Sequence, residues 1–260
     1  MDLGLSGKVA FIAGSSRGIG LEIARAFLRE GASVAITGRD QDALDKASQS
    51  LSSEASPSRV LAISGDLTDP ATIKSSLDRC VAVFGRVDAV VANVGSGGAR
   101  AGWELEPGDW DASLNQNLLG SMNLATVALK HFVTTGNRSG SLTFVSSIAG
   151  HEAVNAPVAY SAAKAGLISA MKSLSRLAGA ENIRVNTIAP GNILFPGGSW
   201  ERKLKERRDF FEQYVQAEVP LKRFGTPDEV AGAVVFMASE RASFITGACL
   251  VVDGGQTRST

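Results

Sequence analysis

Residues 9–20 read Val-Ala-Phe-Ile-Ala-Gly-Ser-Ser-Arg-Gly-Ile-Gly. The first five form a short apolar run, which is typical of a strand buried on both faces of a sheet. A glycine-rich loop follows, and an amphipathic helix is predicted over residues 21–30, with Gly31 to end it. Backbone N–H groups at a helix N-terminus bind phosphate, and glycines let the backbone approach it closely. The stretch therefore predicts the phosphate loop of a dinucleotide site, with a plain turn as the alternative interpretation.

The second predicted strand, residues 33–37, is followed by Gly38 and Arg39. An acidic side chain at this position accepts from the 2′-OH of NAD, whereas an arginine favours the 2′-phosphate of NADP. Gly38 brings no carboxylate, and Arg17 in the glycine loop can add a second positive charge. The sequence therefore predicts NADP(H) in preference to NAD(H). The alternative is that both arginines are solvated surface residues.

The rest of the chain continues the alternation of strand and helix, without a linker or an internal repeat. We expect one α/β domain over residues 1–260, a doubly wound Rossmann-type parallel sheet flanked by helices. A longer insertion over about residues 196–219 interrupts the alternation and predicts a lid over the substrate. Further strands are predicted at residues 60–64, 88–92, 141–145, 183–188 and 248–252.

The composition excludes several classes of protein. The 260 residues include 26 basic and 26 acidic side chains, so no basic field favours nucleic acid. No apolar run approaches the ~18 residues of a membrane span, and the first residues lack the pattern of a signal peptide. The two cysteines and two histidines lack metal-ligand spacing, so we expect no metal and a cytoplasmic protein.

Tyr160 and Lys164 lie four residues apart in an alanine-rich run, and Ser147 precedes the tyrosine by thirteen positions. Residues four apart share one face of a helix. A free phenol has a pKa near ~10, and a nearby positive charge lowers it toward a value useful for proton transfer. The pair alone is a weak signal. It gains weight because Ser147 and the glycine loop follow strands, whose carboxyl ends meet at one rim of a parallel sheet.

Across nearly its whole length the chain resembles the classical short-chain dehydrogenase/reductases, and among them the 3-oxoacyl-acyl-carrier-protein reductase type. The features that carry the resemblance occur in the order and spacing of that family. They are the glycine loop, Asn93-Val94-Gly95, Asn117, Ser147, Tyr160 with Lys164, Pro190-Gly191 and the closing Val252-Asp253-Gly254-Gly255.

The resemblance implies a role for each catalytic residue. Tyr160 exchanges a proton with the substrate oxygen, and Lys164 lowers the tyrosine pKa and holds the nicotinamide ribose. Ser147 hydrogen-bonds the substrate oxygen, and Asn117 holds a water that links Lys164 to solvent. Ser146 competes for the serine role, although the spacing and the following Ile-Ala-Gly favour Ser147.

The resemblance also implies a set of dinucleotide contacts. The chain departs from the family at the contact with the nicotinamide carboxamide. Asn192 and the residues after it stand where the family usually has a threonine for that contact. A backbone group or Asn192 is the expected replacement. The implied contacts are Gly14, Ser16, Arg17, Gly18, Ile19, Gly20, Arg39, Asp66, Leu67, Asn93, Gly95, Tyr160, Lys164, Pro190, Gly191 and Ile193.

We expect an oxidoreductase that transfers hydride between NADPH and a carbonyl or secondary alcohol, with a 3-oxoacyl thioester as one candidate substrate. An NAD-linked secondary-alcohol dehydrogenase is one alternative. A non-catalytic dinucleotide-binding regulatory protein is another, against which the presence of all four catalytic residues argues.

Two surfaces bear on partners. The charged run at residues 201–209 predicts either a solvated helix face or a docking site for an anionic carrier or coenzyme A thioester. The predicted helices at about 110–130 and 157–178 are apolar around much of their circumference. The second feature predicts contact between subunits, in a homotetramer or homodimer.

Overall fold

The computed structural model describes residues 2–259. Within them seven strands form one parallel sheet in the order β3-β2-β1-β4-β5-β6-β7. The doubly wound α/β architecture predicted from the sequence is thereby confirmed. The strands are β1 Val9–Ala13, β2 Ser33–Gly38, β3 Val60–Ser64, β4 Ala89–Ala92, β5 Ser141–Val145, β6 Arg184–Pro190 and β7 Cys249–Val252.

Helices connect the strands and cover the faces of the sheet. They are α1 Gly18–Arg29, α2 Gln41–Glu54, α3 Pro70–Phe84, α4 Pro107–Leu114, α5 Gly120–Thr134, α6 Val158–Ala178, α7 Ser199–Glu218 and α8 Pro227–Ala238. No helix of the described residues is both long enough and apolar enough to cross a membrane.

The alternating side chains of β1 divide the core into two parts. Ala10 and Ile12 join a buried cluster on the face that α1 and α8 cover. Val9 and Phe11 join the cluster on the other face, with residues of α3, α5 and α6. Because both faces are buried, an apolar run without polar alternation is what this central strand requires.

Several helices begin with capping side chains. Asp69 accepts a hydrogen bond from the backbone of Thr72 at 2.8 Å, and a proline opens α3. Thr226 and Glu229 form a capping box at the start of α8. Asp40 caps α2 by accepting from Ala43 at 3.1 Å. Such caps satisfy backbone donors that the helix leaves unpaired.

Two irregularities have no counterpart in the sequence patterns. A π-helical turn at Asn115–Leu119 joins α4 to α5. Helix α7 is broken at Arg207, where φ is −149° and ψ is 64°. Both lie in segments that border the carboxyl rim of the sheet.

Candidate active site

The glycine loop between β1 and α1 has the backbone that the sequence predicts. Gly14 and Gly18 have φ of 65° and 57°, in the left-handed region that favours glycine. A Cβ on Gly20 would overlap the main-chain oxygen of Gly14. No side chain within residues 2–259 caps the N-terminus of α1. The loop can therefore present unpaired N–H groups to an anionic group, which fits a pyrophosphate.

At the end of β2, the side chain of Ser16 fills the space beside Gly38. A Cβ on Gly38 would lie 3.0 Å from the Cβ of Ser16, so a larger residue there would press on the serine. Hydrogen bonds from Thr68 hold the pKa of Asp66 below its ordinary value, and the positive charge of Arg39 acts in the same direction. Ser16, Arg39 and Asp66 therefore border the same end of the rim.

Arg17 is turned toward the predicted lid. Its Nη1 donates to the main-chain oxygen of Gly197 at 3.2 Å. The predicted convergence of Arg17 and Arg39 on one phosphate stays a prediction, because Arg17 has a different partner in this structure.

The remaining dinucleotide candidates include one polar side chain at a strand end and three apolar side chains that pack in or against the core. Asn93 follows β4 and donates from Nδ2 to the main-chain oxygen of Gly14 at 2.9 Å, so it ties the strand end to the glycine loop. The side chains of Leu67 and Ile193 are buried in the two core clusters, and Ile19 packs against one of them. These three can contact a ligand mainly through their backbone.

The structure separates the two serines after β5. Ser146 Oγ donates to the main-chain oxygen of Lys164 at 2.8 Å and is thereby used to dock α6. Ser147 Oγ accepts from the backbone of Ala149 at 3.1 Å and hydrogen-bonds Tyr160. A Cβ on Gly150 would overlap the backbone of Lys164, so the glycine permits this close docking. Only Ser147 shares a polar contact with the tyrosine.

Lys164 is 4% exposed, and its Nζ donates to the main-chain oxygen of Val145 at 3.1 Å. Gly95 lies directly beside it. A Cβ on Gly95 would be 3.1 Å from Lys164 Nζ and 2.9 Å from Asn117 Oδ1. The Nζ is 5.8 Å from the ring centroid of Tyr160. Lysine, asparagine, glycine and tyrosine thus meet at one point on the rim.

Burial dominates the acid–base properties of this pair. It lowers the pKa of Lys164 to about 8 and raises the pKa of Tyr160, while the hydrogen bond with Ser147 lowers the latter. The net shift of the Tyr160 pKa is upward, and a lowering of it by Lys164 stays a prediction. Desolvation of the half-buried phenol outweighs the other effects, and the hydroxyl stays protonated at neutral pH.

Asn117 lies in the π-helical turn, and both ends of its amide are bonded. Its Nδ2 donates to the main-chain oxygen of Ser113 at 3.1 Å, and its Oδ1 accepts from the backbone N–H of Ser96 at 2.8 Å. The turn therefore fastens the glycine-rich loop after β4 to the helix. Ser96 carries no motif, so sequence reasoning missed it.

The residues after β6 stand where the family usually has a threonine that contacts the nicotinamide carboxamide. Asn192 donates from Nδ2 to Gln256 Oε1 at 2.7 Å, and both side chains are buried. One of its two amide hydrogens is thus used, so the other hydrogen, its carbonyl oxygen or a backbone group can reach a carboxamide. A Cβ on Gly191 would lie 2.7 Å from the Cβ of Asp253, so glycine is required where these strand ends meet.

Phe195, just before the predicted lid, packs against the glycine loop. A Cβ on Gly18 would lie 2.5 Å from the ring of Phe195. In α7, the Trp200 ring stacks on Tyr214 with centroids 5.9 Å apart, and it lies 5.3 Å from the Phe224 ring. An aromatic cluster therefore anchors the inner side of α7.

Most of the basic groups on α7 that the structure describes have a partner on the same helix. Lys205 pairs with Glu201 at 3.1 Å, and Arg208 pairs with Glu212 at 2.7 Å. The Nζ of Lys203 lies 4.1 Å from the centroid of the Trp200 ring. These contacts favour the solvated helix face over a docking site for an anionic carrier.

The histidine, cysteine and carboxylate side chains of residues 2–259 form no cluster that could hold a metal ion.

Comparison with known proteins identifies the family. A family model described as enoyl-(acyl carrier protein) reductase matches residues 13–257. The 3-oxoacyl-acyl-carrier-protein reductase of Thermotoga maritima is 34% identical over 254 residues, covering 96% of this chain and 98% of that protein. L-Sorbose reductase from Gluconobacter frateurii, solved with NADPH and L-sorbose, superposes with a TM-score of 0.91 at 32% identity and covers 100% of both chains.

A short-chain type dehydrogenase/reductase from Mycobacterium marinum superposes with a TM-score of 0.87 at 28% identity, with 99% of this chain and 98% of that one covered. The matches extend over the glycine loop, the Ser147 segment and residues 196–219 alike. The chain therefore belongs to the short-chain dehydrogenase/reductase family of oxidoreductases.

Proposed function

We propose that the protein is an NADP(H)-linked reductase that converts a carbonyl compound to a secondary alcohol, with the reverse oxidation as the same chemistry. The observation that carries this proposal is the meeting of Ser147, Tyr160, Lys164 and Asn117 on the rim that holds the glycine loop. We further infer that residues 1–260 act as one catalytic domain, with residues 196–219 as its lid.

The residues present fit a dinucleotide. The glycine loop would hold the pyrophosphate, and Lys164 would hold the nicotinamide ribose. An ammonium has three hydrogens, and Lys164 Nζ uses one on Val145, so two can reach ribose hydroxyls. When bound, the reduced nicotinamide supplies hydride to the carbonyl carbon.

Proton transfer belongs to the chain's own residues. Tyr160 is the proton donor to the carbonyl oxygen during reduction, because its hydroxyl is protonated at neutral pH and lies beside Ser147. Ser147 donates a hydrogen bond to the same oxygen, where negative charge develops. Lys164, with a pKa of about 8, then stabilises the phenolate left behind. Asn117 holds a water through which the proton is replaced from solvent.

The preference for NADP(H) is supported by the residues at the end of β2. No carboxylate stands at Gly38 to repel a 2′-phosphate, and Ser16 offers a hydroxyl beside it. Arg39 contributes the positive charge. L-Sorbose reductase, which shares the fold over its whole length, was solved with NADPH.

Two substrate classes have support. The ion pairs along α7 leave a largely neutralised lid, which suits a small uncharged hydroxyketone such as a sugar. The likeness to a 3-oxoacyl-acyl-carrier-protein reductase supports the second class, 3-oxoacyl thioesters.

A homodimer or homotetramer is supported by apolar side chains on the outer surface of α5, α6 and the π-helical turn. Leu177 is 73% exposed, and Leu119, Val133 and Val158 are also exposed. Such residues on neighbouring helices form the kind of surface that a symmetric interface buries.

Oxidation of NADPH and of NADH, followed by absorbance against a panel of sugars, simple ketones and 3-oxoacyl thioesters, tests the proposal. We expect turnover with NADPH and at least one ketone. Faster turnover with NADH would select the NAD-linked alternative. Dinucleotide binding without turnover of any carbonyl or alcohol would select the regulatory protein.

The variant Tyr160→Phe gives the matched test of mechanism, since it removes one oxygen and keeps the ring. We expect turnover to fall by at least about a thousandfold, because the proton donor is lost. The Kd for NADPH, measured by fluorescence quenching, should stay within about twofold. Retained turnover would contradict the role of Tyr160.

A further inference from the structure

Gln256 follows the last strand, and its side chain joins two elements that border the proposed site. Its Oε1 accepts from Asn192 Nδ2 at 2.7 Å, and its Nε2 lies 2.8 Å from Tyr214 Oη as a donor. Gln256 is 7% exposed and Asn192 is 8% exposed. The oxygen and the nitrogen of the buried Gln256 amide thus each have a hydrogen-bond partner.

The two partners belong to parts of the chain with different roles. Asn192 comes directly after Pro190 and Gly191, at the carboxyl end of β6. Tyr214 lies in the second half of α7, beyond the break at Arg207, and its ring stacks on Trp200 in the first half. These hydrogen bonds therefore connect the end of β6 to the half of α7 that follows the break.

The residues after Gln256 make a third connection. The backbone N–H groups of Arg258 and Ser259 both donate to Glu152 Oε1, the first at 2.7 Å. Glu152 lies between Ser147 and Tyr160 in the sequence. The side chain of Arg258 also reaches Glu218 at the end of α7 at 3.3 Å, an exposed pair that adds little stability by itself.

We propose that Gln256 is a positioning residue that fixes the second half of α7 against the end of β6 and so sets the substrate wall of the active site. The backbone bonds to Glu152 hold the same C-terminal segment against the loop between Ser147 and Tyr160. The effect on substrate binding rests on the proposed function, whereas the fixing of α7 does not.

The test uses Gln256→Leu, Tyr214→Phe and the double variant, with Gln213→Leu as the control. Gln213 is an exposed neighbour of Tyr214 on α7 and makes no side-chain hydrogen bond in the structure's described residues. Tyr214→Phe keeps the ring that stacks on Trp200, so it remains informative if Gln256→Leu folds poorly. Thermal unfolding establishes which variants are folded.

The first readout is the rate at which trypsin cleaves α7 after Arg207 and Arg208, at the break and at the start of its second half. Each single variant should raise this rate by about five- to tenfold, because one or two buried hydrogen bonds are lost. The double variant should equal the more affected single variant, since both changes break one chain of bonds. Wild-type cleavage rates in the singles, or purely additive effects in the double, would overturn the proposal.

The second readout uses whichever carbonyl the substrate panel identifies. We expect KM for that carbonyl to rise by about tenfold, with kcat and the Kd for NADPH changed by less than about threefold. A fall in kcat with KM unchanged would overturn the assignment to the substrate wall. The trypsin readout needs no turnover, so failure of the proposed function and failure of this inference are distinguishable.

Discussion

The Nζ of Lys164 donates to the main-chain oxygen of Val145 at 3.1 Å, in a position where the lysine is almost wholly buried. The carbonyl belongs to the last residue of β5, so the strand that delivers Ser147 also orients the ammonium. Placement of the lysine thus comes from backbone geometry and does not depend on a carboxylate partner.

The burial of Lys164 predicts a pH dependence of stability. Its pKa is about 8 in the folded chain and 10.5 ordinarily, so between these values the unfolded chain binds more protons. The free energy of unfolding therefore rises with pH across this window. Between about pH 7 and about pH 9.5, the free energy of unfolding of the wild type should rise by about 2 kcal/mol relative to that of Lys164→Met. Urea denaturation of both proteins measures this gain, and a gap that does not change with pH would contradict it.

The two serines after β5 should respond differently to removal of their hydroxyls. Ser147→Ala should lower kcat/KM by about a hundredfold with little loss of stability, because a hydrogen bond to the substrate oxygen disappears. Ser146→Ala should lower the free energy of unfolding by about 1–2 kcal/mol and change kcat/KM far less, because the hydroxyl holds the main-chain oxygen of Lys164. Steady-state kinetics and urea denaturation of both variants measure these effects. The reverse pattern would assign the substrate contact to Ser146 and the structural role to Ser147.

Arg39→Asp should shift the preference for the dinucleotide toward NADH. The change removes a positive charge and places a carboxylate beside the 2′-position, so the ratio of kcat/KM for NADPH over NADH should fall by at least about tenfold. Arg79→Asp on the exposed surface of α3 makes the same change of charge elsewhere and is the control. An unchanged ratio in Arg39→Asp would remove the arginine from the recognition of the phosphate.

Two glycine-to-alanine changes should have opposite effects. In Gly20→Ala the new methyl meets the main-chain oxygen of Gly14, so we expect a loss of about 2–4 kcal/mol and weaker NADPH binding. Gly232 lies inside α8, where a new methyl would have no neighbour within 4 Å, so Gly232→Ala should stabilise by about 1 kcal/mol. Urea denaturation measures both, and a neutral Gly20→Ala would show that the loop can relax.

The strand pattern, the caps and the glycine loop were predictable because each depends on neighbours in the sequence. The apolar run of β1 and the capping box at Thr226 carry their signals within a few residues. Ser147, Tyr160 and Lys164 were predictable for another reason, since the carboxyl ends of parallel strands share one rim.

The rest depends on contacts between distant parts of the chain. Nothing near Gln256 in the sequence indicates that it bonds Asn192 and Tyr214, and the π-helical turn around Asn117 has no local signal. The burial that raises the pKa of Tyr160 likewise follows from packing and has no local signal.

The contact between the Phe195 ring and Gly18 links the glycine loop to the segment that begins the predicted lid. The ring occupies space that a side chain at Gly18 would need, and Arg17 bonds Gly197 on the same segment. The glycine loop, which we propose binds the dinucleotide, therefore also supports the start of the predicted lid. If residues 196–219 form the substrate lid, we expect that exchanging them for those of a relative would alter cofactor affinity unless residues 195–197 were kept.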